Sequence, residues 1–174
     1  MVMEPIICQK PKIVLLGMSF FGDHFDTHSG WEEENEIGRL WQRFMRFLDN
    51  NSDKMPRLAN PKAGFEVHVY HPETTTMGVF EVFVGLEIEE VEKIPIELVL
   101  KVLPPSKYAV FTFHGEEIAS DWHMRIHQWI SDAGFEQAYP FSFQYLDQRF
   151  KGVDNLAESE LDVYMPIQSK SNRK

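Results

Sequence analysis

Apolar positions along the chain switch between a period of two and a period near 3.6, and the switches set out the elements. "KIVLLGMSF" (12–20) is a nearly continuous run of β-branched and aliphatic residues, which predicts a buried first strand. In "EIGRLWQRFMRFLDN" (36–50), Ile37, Leu40, Trp41, Phe44, Phe47 and Leu48 fall at helical spacings, with Arg39, Gln42, Arg43 and Arg46 off that stripe. Pro56 and Pro61 bar the helix from continuing. "FEVHVY" (65–70) and "VFEVFVGLEI" (79–88), joined by a short connection, then form an antiparallel hairpin. The order is β-α-β-β.

After a proline-containing acidic stretch the same order returns. "KYAVFTFHG" (107–115) is a strand. "EIASDWHMRIHQWISDAG" (117–134) sets Ile118, Trp122, Ile126, Trp129 and Ile130 on one helical face and closes on Gly134. "FSFQYLD" and "LDVYMPI" (161–167) are the last two strands. The predicted fold is therefore α+β: tandem βαββ repeats with pseudo-two-fold symmetry, an antiparallel sheet, two main helices and a central cleft. One domain over 1–174 is expected, with repeat one at about 10–88, a linker at about 89–105 and repeat two at about 106–168. A cleft at the junction is the usual place for a small-molecule pocket.

Composition narrows the function. With 43% hydrophobic residues the chain can bury a core, and its net charge of −10 is spread over "WEEENE", "EIEEVEKIPIE" and "LAESELD". Such a field repels phosphate backbones, so no direct nucleic-acid contact is expected. Cys8 is the only cysteine, placed before the first strand, which excludes an intrachain disulfide and a multi-cysteine metal site. The N-terminus lacks the basic start and apolar run of a secretion signal, and no apolar stretch reaches a membrane span. No membrane association and a cytoplasmic location are expected. His123 and His127 at i, i+4, and His24 and His28 around Asp26, have spacings that could hold a metal, but no "HExxH" supports them. Metal and cofactor are both expected to be none. There is no Gly-x-Ser-x-Gly elbow, phosphate loop or dinucleotide fingerprint.

"KPKIVLLGM", "EIGRLWQRF", "VFEVFVGLEI", "LPPSKYAVFTFHG", "HQWISDAGFEQA", "FSFQYLDQRF" and "DVYMPI", in that order, resemble the GyrI-like effector-binding domain. The same module forms the C-terminal drug-sensing part of some AraC-type and MerR-type regulators. The resemblance implies an aromatic-lined cleft for amphipathic molecules, lipophilic cations among them, and a buried glutamate on the strand that here spans 143–147. Phe143 and Asp147 keep that frame, but Gln144 stands at the glutamate position. A carboxylate about 4 Å from a cation contributes roughly 4 kcal/mol at an effective dielectric near 20, before desolvation, against about 1 kcal/mol for an amide hydrogen bond. Either the ligand is neutral or another acid replaces the charge. Glu66 shares strand parity with Gln144 and is the first candidate, with Glu81 and Glu87 behind it.

The residues expected to line the cleft are Gln144, Glu66, His68, Tyr70, Phe83, Trp122 and Tyr164, the aromatic ones for contact area and cation-π capacity. Trp41 and Trp129 are assigned to core packing, and Trp122 stands between the core and the cleft mouth. No catalytic residue is assigned. The expected function is a stand-alone binder of lipophilic or cationic drug-like compounds, for sequestration or sensing, since no helix-turn-helix precedes residue 10. Two alternatives remain. One is a hydrolase of reactive cyclopropane-type compounds, which needs an acid in place of Gln144. The other is a gyrase-inhibitor-like interaction module, whose partner would be gyrase or a transcription regulator.

Overall fold

The computed structural model describes residues 4–24 and 33–170. Asp26, His28 and Trp31 lie outside these residues, so the His24/His28 pairing has no structural counterpart here. The elements run β1 (Ile6–Lys10), β2 (Ile13–Gly22), α1 (Glu36–Asn51), β3 (Gly64–Val69), a single turn α2 (Pro72–Thr75), β4 (Phe80–Glu87), β5 (Val99–Leu103), β6 (Ser106–His114), α3 (Trp122–Asp132), β7 (Phe135–Gln137), β8 (Phe141–Leu146) and β9 (Glu160–Ser169). The nine strands of the described residues join one antiparallel sheet in the order β1-β6-β9-β8-β3-β4-β2-β5, with β7 on β9. Exchanging β1 with β5, β2 with β6, β3 with β8 and β4 with β9 reverses this order. The pseudo-two-fold axis therefore passes between β3 and β8.

Three strands were not foreseen: β1, β5 and the three-residue β7. β5 lies inside the stretch expected to be linker, and β1 precedes the strand expected to be first, so Cys8 sits within a strand. Both are sheet-edge strands framed by prolines, at Pro5 and Pro11 for β1 and at Pro95 and Pro104 for β5. Proline is tolerated at strand ends and edges, so what looks like punctuation here marks where the chain changes sheet position. Pro11 and Lys12 alone connect β1, at one end of the strand order, to β2, which is next to the other end, so Lys10 and Ile13 lie within about 11 Å of each other. The sheet is thus curled. Its inner face packs Ile13, Leu15, Leu103, Tyr108 and Val110 from the outer strands against Phe65, Val67, Phe83 and Phe143 from the middle ones.

The helices cover the other face. Asn35 caps α1, its side chain accepting from the Gly38 N–H at 2.8 Å, and Leu40 and Phe44 pack on Leu16, Met18, Val82 and Val84 of β2 and β4. On the far side, Ile126 and Ile130 of α3 pack on Phe111, Phe113, Leu161 and Met165 of β6 and β9. α3 starts at Trp122 rather than Glu117, because a 3-10 turn over Gly115–Ala119 ends in an extended Ser120. It stops as expected at Gly134, whose φ is +79°. No described helix is long and apolar enough to cross a membrane.

Gly17 and Gly85 face each other where β2 crosses β4. A Cβ on Gly17 would lie 1.9 Å from the Val84 carbonyl oxygen and 2.6 Å from the Gly85 Cα, which only a backbone shift could relieve. Gly17→Ala is expected to cost about 1–3 kcal/mol, read as a lower urea midpoint with an unchanged slope. A wild-type midpoint would show that the crossing is not tight.

Candidate functional site

Each helix covers an outer pair of strands, and the middle pair, β3 and β8, is left without a helix of its own. The helix-facing side chains of that pair include Glu66, His68, Ser142 and Gln144, polar and all buried, with the half-buried Leu146 at the end of β8. In register, Glu66 lies directly opposite Gln144 and His68 opposite Ser142. Above them is a cavity of about 1100 Å³, at the large end of the range for drug-sized ligands. Ile37, Trp41, Met45 and Leu48 of α1 form one wall, and Trp122 and His123 at the start of α3 face them.

A buried carboxylate stands across the strand pair from Gln144. Glu66 is 5% exposed and is the one buried carboxylate among the described residues lining the cavity. Its Oε1 accepts from His68 Nε2–H at 2.8 Å and its Oε2 from Trp41 Nε1–H at 2.7 Å. Hydrogen bonds to a carboxylate are about twice as strong as neutral ones, and two of them fix this group in place. The Trp41 bond depends on Gly64: a Cβ there would meet Trp41 Cη2 at 2.7 Å, so the bare backbone is what lets the indole lie against β3.

The remaining acids are otherwise engaged. Glu33 and Asp121 are exposed at the rim, and Asp147 is paired with Arg149 at 2.9 Å. Glu81 binds Lys101 and accepts from the Ser19 hydroxyl. Neither it nor Glu87 lines the cavity. Burial pushes His123 down to about 4, with His68 and His127 adding in the same direction. At neutral pH His123 is therefore an uncharged ring, stacked on Trp122 with centroids 4.0 Å apart, and adds no positive charge to the wall. The described residues contain no group of three or more histidine, cysteine or acidic side chains placed to hold a metal ion.

Of the expected lining residues, the structure brings together Glu66, His68, Trp122 and Gln144. Phe83 and Tyr164 point to the opposite face of the sheet. Glu66 is paired with Val84, and Gln144 with Val163, so alternation sends their neighbours Phe83 and Tyr164 into the inner core, where Tyr164 stacks on Phe143. Tyr70 lies just beyond β3, stacked on Phe80, and burial together with the Glu66 charge pushes it up to about 12. Trp129 packs on the α3 core as expected. Trp41 does not belong to the core alone: it forms a cavity wall and holds Glu66. Its place on an apolar helix stripe hid this role, and Gly64 at the head of "FEVHVY" was the available signal.

Residues 6–167 match the family described as Cass2, integron-associated effector binding protein. BrlR, a transcriptional regulator of Pseudomonas aeruginosa, is 28% identical over 167 residues. That match takes in 95% of this chain and 56% of BrlR, so the chain spans little more than half the length of this curated relative. Among solved structures, SAV2435 bound to tetraphenylphosphonium is similar at a TM-score of 0.67, with 15% identity over 95% of this chain and 94% of that one. The C-terminal domain of EcmrR is similar at 0.64, with 14% identity over 98% and 100%. At these identities the likeness is one of fold. The family match covers nearly the whole sequence, and the chain belongs to the integron-associated effector-binding proteins, with the GyrI-like fold.

Proposed function

We propose that the chain binds lipophilic cations in the midline cavity, with Glu66 as counter-ion. The observation that carries this is a buried, doubly hydrogen-bonded carboxylate beneath an aromatic-walled space large enough for a drug-sized molecule. A cation about 4 Å from Glu66 gains roughly 4 kcal/mol at an effective dielectric near 20. Allowing half of that for desolvation leaves a preference for charge of more than tenfold. The indole faces of Trp41 and Trp122 add cation-π attraction. A lipophilic cation is what the structure of SAV2435 contains, which supports the same class of ligand here.

Binding serves either to sequester such a compound or, with a regulatory partner, to sense it. Binding is preferred to turnover. Both Glu66 oxygens already accept hydrogen bonds, and no tyrosine is found among the described lining residues to supply the hydroxyl that the hydrolytic alternative calls for. The gyrase alternative draws only on the overall acidity of the chain.

Calorimetric titration with tetraphenylphosphonium and with neutral triphenylphosphine oxide tests the assignment. Glu66→Gln is expected to weaken the cation by about tenfold or more and to leave the oxide unchanged. Equal losses for both, or none for either, would remove Glu66 from the counter-ion role. Gly64→Val, which drives Trp41 off β3, is expected to shift tryptophan emission and weaken tetraphenylphosphonium about fivefold, the worth of one hydrogen bond. Wild-type emission and affinity in that variant would show that Trp41 does not hold the carboxylate.

A further inference from the structure

We infer that the cavity selects cations that carry their own N–H, such as protonated amines, over permanent cations that carry none, and that Gln144 is the residue that discriminates. This rests on the cation-binding proposal and goes one step past it, from the charge of the ligand to its hydrogen-bonding chemistry.

Gln144 lines the cavity, is 5% exposed, and its Oε1 is buried without a hydrogen-bond partner among the described residues. More than nine in ten buried polar groups in proteins are paired, so an orphan acceptor beside a ligand cavity calls for a partner that the protein does not supply. Two donors beside it, Trp41 Nε1–H and His68 Nε2–H, are both turned to Glu66 and supply nothing to the Gln144 oxygen. The last side-chain torsion of glutamine is soft, so its oxygen can swing toward a donor in the cavity.

A phosphonium or quaternary ammonium ion satisfies the charge of Glu66 and leaves Gln144 orphaned. A protonated amine satisfies both, with its charge against Glu66 and one N–H on Gln144 Oε1. Cross-strand register sets the two side chains about 5 Å apart at their bases, a span that one ammonium head bridges. The register also gives position 144 a reason to be an amide. A second carboxylate directly opposite Glu66 would suffer like-charge repulsion, and one of the two would be held protonated. Glutamine keeps an acceptor there without the second charge.

The test is calorimetric titration at neutral pH with N,N-dimethyl-(4-phenylbenzyl)ammonium and its N,N,N-trimethyl counterpart, which share charge and aromatic body and differ by the last N–H. The wild-type protein is expected to bind the dimethyl ion about tenfold more tightly. In Gln144→Met, of similar length and without the amide, the ratio is expected to fall to about one. Equal affinities in the wild type overturn the inference with no variant needed, as does a ratio that survives Gln144→Met. Binding of the trimethyl ion with no preference for the dimethyl leaves the cation proposal standing and removes only this step. Failure of both ions to bind the wild type overturns the cation proposal, and this inference with it.

Discussion

A carboxylate taken out of water loses several kcal/mol of solvation, and a protein keeps it ionised only if donors or a counter-charge meet it. Glu66 accepts one hydrogen bond from the Trp41 indole and one from the His68 imidazole. Those two hydrogen bonds hold both of its oxygens in place. That buried carboxylate is what distinguishes this cavity from an apolar void of the same size, and the arrangement around it can be read as support for it. Gly64 makes room for Trp41, Trp41 reaches Glu66, and His68 on the same strand holds the second oxygen.

The cavity itself follows from duplication. Each half places its helix over its own outer strands, and the two halves meet through β3 and β8. The helix-facing side of that central pair is then covered by neither helix, and the polar residues there are buried only by the flanking walls. The inner face needs no helix, because the curl of the sheet brings the outer strands round to close on Phe65 and Phe143. One face is thus packed solid while the other keeps room for a ligand, which is how a chain of this size holds both a core and a site.

Periodicity made the two helices, the central hairpin and the doubled order legible, because each has a clean apolar stripe or alternation. It also put Glu66 on the same face as Gln144, and the register places the two directly opposite each other. It did not place Phe83 or Tyr164. "VFEVFV" is apolar on both faces, so alternation there does not say which side is the cleft, and aromatic character alone put the two residues on the wrong one. Trp41 was lost for a different reason: a helical stripe shows what faces the sheet, but not that the strand beneath it has a glycine for the indole to lie on. β1 and β5 were hidden by prolines that usually end structure and here redirect it.

The most direct measurement is a crystal structure of the chain with tetraphenylphosphonium bound. The account requires the phosphorus between Trp41 and Trp122, within about 6 Å of the Glu66 carboxylate, over the β3–β8 pair. A phosphonium held at the rim by Glu33 or Asp121, or bound outside this cavity with Glu66 untouched, would contradict it.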